Sequence, residues 1–160
     1  MDMGVAIVGI FMIIIGFMVV MILIKKKGNF DERQEIIRGR GYKYGFITTD
    51  LLALAILYIN ITSYKISTVI AISLSIIIGA VVTSIYDIFN HAYFRVSDKR
   101  GTSMGAVFLL MGVCYAYITL QDWTSAYWDS NVIAIAVSIY FILVGITILF
   151  VKIKDRRDDE

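Results

Sequence analysis

The stretch that decides the fold is KKKGNFDERQEIIRGRGYKYGFITTD, residues 25–50. It holds 7 of the 15 Lys and Arg residues of the chain, and long apolar segments lie on both sides of it. Charged side chains at this density need water or lipid headgroups, whereas the flanking segments suit a bilayer core. We therefore predict that residues 25–43 are a cytoplasmic segment between two membrane-spanning helices.

The composition supports a membrane protein. The chain has 160 residues, of which 59% are hydrophobic and 18% are charged. Soluble domains have about 45–50% apolar and about 25% charged residues. The formal net charge is only +2, which gives no reason to expect nucleic acid as a partner. The length fits a single membrane domain, residues 1–160.

Apolar segments of about 20 residues are long enough to cross a bilayer as helices. The sequence contains five candidates for such helices: residues 4–24, 44–61, 66–86, 103–120 and 132–151. We predict an all-α integral membrane protein, a bundle of five transmembrane helices. Residues 87–102 form an inner loop and residues 122–131 an outer loop in this prediction.

The orientation follows from the distribution of Lys and Arg. Segment 25–43 has 7, the loop 87–102 has 3 and the C-terminal tail has 4, whereas the opposite side has only Lys65. Short loops rich in Lys and Arg stay in the cytoplasm. The prediction is a multi-pass protein of the cell membrane with its N-terminus outside and its C-terminus in the cytoplasm.

Segment 25–43 has the features of a short helix at the membrane interface. Asp31 with Gln34, or Asn29 with Glu32, has the spacing of a helix-capping box. Acidic residues precede basic ones along the segment, which complements the helix dipole. Its basic residues are candidate contacts for a partner protein or anionic lipid: Lys25, Lys26, Lys27, Arg33, Arg38, Arg40 and Lys43. The alternative is a solvated connecting helix whose charges only keep it out of lipid.

Asp50 is an acidic residue within an apolar span, and Thr48 and Thr49 precede it. An unpaired charge at this depth costs at least about 2.5 kcal/mol. We expect Asp50 to face the bundle interior and to form a candidate intramembrane polar site with the two threonines. It is either an ion or proton site or a structural partner of a basic or amide group, and its aliphatic neighbours favour the structural role.

Asp87 and His91 are four residues apart and share a helix face if that helix continues to Phe94. They are a candidate pair at the inner mouth of the bundle, able to relay protons or sense pH. The alternative is that the two residues are simply polar groups at the end of a helix near the membrane interface. Two such ligands do not make a zinc site, because zinc sites need three or four.

Two further patterns concern packing and chemistry. Gly41-x-x-x-Gly45 has the spacing that lets membrane helices approach closely, although glycine near a helix start is also simple punctuation. The chain has no phosphate-binding glycine loop, HExxH, GxSxG or CxxC motif. We therefore predict no catalytic residues, no metal and no cofactor.

The stretches FDERQEIIRGRGYKYGF (residues 30–46) and SIYDIFNHAYF (residues 84–94) carry a family resemblance. They resemble uncharacterised small bacterial multi-pass membrane proteins with an Asp-Glu-Arg-Gln motif after the first helix. In those proteins an acid precedes Ala-Tyr, and Asn90-His91 stands there in this chain. The resemblance implies a bacterial cytoplasmic membrane protein and brings no activity or catalytic residues.

These observations favour a non-enzymatic membrane interaction protein with an accessory or regulatory role. Its expected partners are the lipid bilayer with its anionic lipids, a second copy of the chain, or a membrane or cytoplasmic protein. The alternative function is a small transporter or channel that uses Asp50.

Overall fold

The computed structural model describes residues 31–62, 65–94, 101–124 and 127–158. Within these ranges the chain is all-helical, with α1 at Glu32–Ile61, α2 at Thr68–Phe89, α3 at Gly101–Gln121 and α4 at Trp128–Asp158. Four helices are long and apolar enough to cross a membrane, which indicates a multi-pass membrane protein. The all-helical prediction is confirmed for these residues. The first predicted span, residues 4–24, lies outside the described residues.

Helix α1 is longer than predicted. The expected interfacial helix and the span 44–61 are one continuous helix of 30 residues, Glu32–Ile61. Glu32 and Glu35 lie in its first turn, where negative charge complements the helix dipole. Gly41 and Gly45 do not break it, although glycine in a helix interior costs about 1 kcal/mol relative to alanine. Packing against α2 offsets that cost.

Helix α4 is also longer than the predicted span 132–151. It runs over 31 residues, Trp128–Asp158, and includes most of the charged tail. Arg156 and Arg157 lie in its last turn, where positive charge is favourable. The bounds of α2 and α3 lie within three residues of the predicted ones.

The described helices pack as a row in the order α1, α2, α4, α3. Gln34 near the start of α1 donates a hydrogen bond to the carbonyl oxygen of His91 after α2, at 2.8 Å. His91 in turn lies 3.6 Å from Asp155 near the end of α4. At the other end, Ser67 donates a hydrogen bond of 2.5 Å to Asp129.

One end of the described helices contains the start of α1 and the ends of α2 and α4. We call it the basic end because many cationic residues lie there. Its exposed cationic residues are Arg33, Arg40, Lys43, Lys152, Lys154, Arg156 and Arg157. In the described part of the chain, the other end has only Lys65. The structure therefore concentrates the basic residues, which are far apart in sequence, at one end of the helices.

Helices α1 and α2 approach until their backbones touch. A Cβ atom on Gly45 would lie 2.7 Å from the carbonyl oxygen of Gly79, and one on Gly79 would lie 2.8 Å from that of Gly45. Thr49 donates to the carbonyl oxygen of Ser75 across this interface at 3.3 Å. The close-packing interpretation of Gly41-x-x-x-Gly45 is therefore correct.

Helices α3 and α4 also approach each other closely at glycines, namely Gly112 on α3 and Gly145 on α4. A Cβ on Gly112 would lie 2.8 Å from the carbonyl oxygen of Ser138, and one on Gly145 would lie 2.7 Å from the backbone nitrogen of Leu109. Beside these contacts a buried apolar cluster joins α2 to α4. It consists of Ile88, Val144, Ile148 and Val151.

The outer surface of these helices is apolar. Large hydrophobic side chains with more than half of their surface exposed include Phe46, Leu51, Leu54, Leu57, Leu110, Ile118, Leu120 and Phe150. A soluble monomer rarely exposes contiguous apolar area on this scale. This surface suits lipid, so close backbone contacts and polar bonds must supply much of the helix association.

The interface predicts that alanine substitution at two different glycines of α1 has very different effects on the free energy of unfolding. Gly45→Ala should lower the free energy of unfolding by about 1–3 kcal/mol, because the new methyl group overlaps backbone that cannot retreat. Gly39→Ala is the matched control, since a Cβ there meets nothing within 4 Å. It should be neutral or stabilising by up to about 1 kcal/mol. Unfolding of both variants in detergent, followed by circular dichroism, measures this, and equal stability would contradict the packing.

Candidate functional site

A polar cleft lies between α1, α2 and α4. Its volume is about 620 Å³, within the range of about 300–1,000 Å³ that is typical of small-molecule sites. Its wall combines aliphatic and aromatic surface with one carboxylate, one guanidinium and several hydroxyl groups. The hydroxyl-bearing residues of the wall are Tyr42, Thr49, Thr83, Ser84, Tyr93 and Tyr140.

Asp87 is the acidic residue of this wall, and only 4% of its surface is exposed. Its Oδ1 atom has no hydrogen-bond partner among the described residues. This oxygen lies against Gly41, where any side chain would collide with it. Buried polar atoms in folded proteins nearly always have a partner, so an orphaned carboxylate oxygen points to a function or a missing contact.

Arg38 supplies the positive charge of the cleft, and this charge acts on the Asp87 carboxylate. Its Nη2 atom donates to the hydroxyl of Tyr42 at 3.0 Å, and its guanidinium lies 5.9 Å from the centre of the same ring. Arg33, Arg40 and Lys43 are exposed, whereas Arg38 is half-buried. Arg38 therefore lines the cleft, and its role as a candidate contact for a partner or for lipid stays a prediction.

Tyrosine and serine hydroxyls form the part of the wall next to α4. Ser84 Oγ lies 3.2 Å from the hydroxyl of Tyr140. Burial, together with the neighbouring Tyr140, raises the pKa of Tyr93 to about 12. The Tyr93 hydroxyl is consequently protonated at neutral pH and remains a hydrogen-bond donor.

Gln34 holds the connection after α2 against α1. Its Nε2 atom donates to the carbonyl oxygens of His91 and Phe94 at 2.8 and 2.9 Å, and 5% of the residue is exposed. From the sequence alone, Gln34 is predicted only as a residue of a helix-capping box. The sequence does contain one signal for this role, which is the position of Gln34 on the helix. Residues 34, 38, 41, 45 and 49 form one face of α1, and this face contacts α2 and the cleft.

The predicted pairing of Asp87 with His91 does not form. Helix α2 ends at Phe89, so the helix face that would have joined them is absent. His91 has a φ of +57°, and the N–H of Ala92 donates to the carbonyl oxygen of Asp87 at 2.8 Å. This left-handed helix termination turns His91 outward, where it meets Asp155, while Asp87 remains buried.

Asp50 does not line the cleft, although Thr49 does. Within the described residues Asp50 is exposed. Thr48 and Thr49 donate hydrogen bonds to the carbonyl oxygens of Tyr44 and Gly45, one turn earlier in α1, at 2.8 and 3.0 Å. The structure thus does not gather the three residues into one site. The prediction that Asp50 faces the bundle interior also involves residues 4–24, which lie outside the described residues.

Of the basic contact residues, Lys25, Lys26 and Lys27 lie outside the described residues. Within the described ranges, no group of three or more His, Cys, Asp or Glu residues is placed to hold a metal ion.

Comparison of the chain with known proteins finds no matching family model, no matching curated protein and no matching solved structure. The resemblance to proteins with the Asp-Glu-Arg-Gln motif remains an expectation.

The hydrogen bonds of Gln34 predict that its replacement destabilises the connection after α2. Gln34→Met keeps the length of the side chain but removes the donor for two carbonyl oxygens, which should cost about 1–3 kcal/mol. Amide hydrogen exchange of His91 and Ala92 should accelerate, since the turn that protects them loses its support. Glu35→Met is the control, because Glu35 is exposed on the same helix. Unchanged exchange in Gln34→Met would show that Gln34 does not hold this connection.

Proposed function

We propose that this protein is a non-enzymatic interaction protein of the bacterial cytoplasmic membrane, with an accessory or regulatory role. The observation that carries the proposal is the attachment of the charged start of α1 by Gln34, which bonds to two backbone carbonyls of the connection after α2. This attachment holds the exposed basic residues of α1 on a rigid surface rather than on a flexible loop.

The surface in question is the basic face, which we define as Arg33, Ile36, Arg40, Lys43 and Ile47. Their spacing of i, i+3, i+7, i+10 and i+14 follows one side of a helix, and all five residues are exposed. Basic residues combined with aliphatic ones suit a membrane interface that contains anionic lipid. Anionic lipid is therefore the proposed partner, and a partner protein or a second copy of the chain would meet the same face.

The proposed topology has five spans, with the N-terminus outside and the C-terminus in the cytoplasm. It is supported by the charge difference between the two ends of the described helices, because cytoplasmic ends are rich in Lys and Arg. An odd number of spans then puts the two termini on opposite sides, and residues 4–24 supply the fifth span.

Cysteine labelling of intact cells tests this topology in a Cys114→Ala background. Ser130→Cys should react with a membrane-impermeant maleimide added outside, since Ser130 is exposed at the end opposite to the basic end. Lys154→Cys, exposed at the basic end, should react only after permeabilisation. The reverse pattern would overturn the orientation.

Lipid retention by the purified protein tests the proposed function. The triple variant Arg33→Gln, Arg40→Gln and Lys43→Gln should retain less phosphatidylglycerol in native mass spectrometry. A basic residue near an anionic surface contributes about 1 kcal/mol, so the loss is about fivefold for each charge removed at low salt. The matched control is Lys65→Gln, which removes a charge at the opposite end.

Two outcomes would count against the lipid proposal. Retention that is unchanged in the triple variant would show that the basic face is not the contact. Equal retention of phosphatidylcholine would show that charge does not select the lipid. A small transporter or channel using Asp50 is the alternative, and it would be favoured by ion or proton flux in liposomes that Asp50→Asn abolishes.

A further inference from the structure

We propose that the cleft beside Asp87 binds a small molecule that carries a protonated amine. This role is separate from that of the basic face, since the cleft lies on the other side of α1. It adds a ligand-binding site to a protein for which sequence motifs indicate none.

The state of the Asp87 side chain supports an amine ligand. Asp87 is 4% exposed, and its Oδ1 has no hydrogen-bond partner among the described residues. A carboxylate in an apolar helix bundle is costly unless an opposite charge or hydrogen-bond donors accompany it. The charge of Arg38 already acts on this carboxylate, and an ammonium group in the cleft would add a second positive charge and up to three N–H donors on the side of the carboxylate that faces the cleft.

The shape and chemistry of the cleft also fit such a ligand. Its volume of about 620 Å³ accommodates a small organic molecule. Ala80 carries only a methyl group and lies in the wall of this space. Gly45 and Gly79 lie at the edge of the cleft where the backbones of α1 and α2 are in contact. The rings of Tyr93 and Tyr140 line the same cleft, and the faces of such rings attract ammonium groups.

The charges of the cleft wall limit the charge of the ligand. Arg38 lines the cleft together with Asp87, so a ligand with several positive charges would be repelled by the guanidinium. A monoamine or a zwitterionic amine fits this constraint better than a polyamine. A bare metal ion fits poorly, because Asp87 is the one carboxylate among the described residues of the wall and hard cations require several oxygen ligands.

Thermal unfolding of the full-length protein in detergent at pH 7 tests the proposal. Benzylammonium should raise the Tm in a saturable manner, because a ligand that binds only the folded state stabilises it by mass action. Benzyl alcohol has a similar shape without the charge and should give no saturable shift. Phenylalanine, as a zwitterion, distinguishes an amino-acid-like ligand from a simple amine.

The variants locate the site. Asp87→Asn should weaken binding of benzylammonium about tenfold or more, as expected for the loss of a charged hydrogen-bond partner. The control Asp122→Asn removes an exposed carboxylate outside the cleft and should bind as the wild type does. Ala80→Leu keeps Asp87 but fills part of the cleft, so it should also weaken the binding of benzylammonium. It replaces Asp87→Asn as the test if that variant does not fold.

Three results would overturn the proposal. They are the absence of a saturable shift with either amine, an equal shift with benzyl alcohol, and unchanged amine affinity in Asp87→Asn or, if that variant is unfolded, in Ala80→Leu. These readouts are independent of lipid retention, so failure of this site and failure of the basic-face proposal are distinguishable.

Discussion

The structure depends on the contact of two helix backbones at Gly45 and Gly79. The space that a Cβ atom would occupy at either glycine is already taken by the carbonyl oxygen of the other, at 2.7 and 2.8 Å. In lipid no hydrophobic effect drives two apolar helices together, so such contacts and the hydrogen bonds beside them must supply the association. A larger residue at either position would force α1 and α2 apart at this contact.

This close approach also determines the chemistry of the cleft. Gly41 lies one turn before Gly45 on α1, and the Asp87 carboxylate occupies the space that a side chain at Gly41 would need. The acid is thereby buried within a helix that is long and apolar enough to cross a membrane. The close contact of α1 and α2 therefore positions the Asp87 carboxylate at the wall of the cleft.

The separation of Asp87 from His91 shows how a short turn changes the role of two residues. The two are close in sequence, and their spacing suits a helical pair. The left-handed conformation of His91 ends α2 and directs the two side chains apart, so one is buried and the other meets Asp155. Gln34 stabilises this arrangement from α1, since it bonds to the carbonyl oxygen of His91. The basic end is therefore organised by backbone hydrogen bonds rather than by ion pairs alone.

The sequence by itself determined the helical membrane class, the approximate positions of α2, α3 and α4, and the grouping of basic residues, because apolar length and charge are local properties. It also indicated that Gly41 and Gly45 allow close packing. Only the tertiary structure decided that α1 is continuous, that Arg38 turns to the cleft while Arg33 and Arg40 face outward, and that Asp87 rather than Asp50 lies in the cleft wall. The physical reason is that burial depends on which helix lies opposite. Asp87 is buried by Gly41, which is far from it in the chain and in contact with it in the fold.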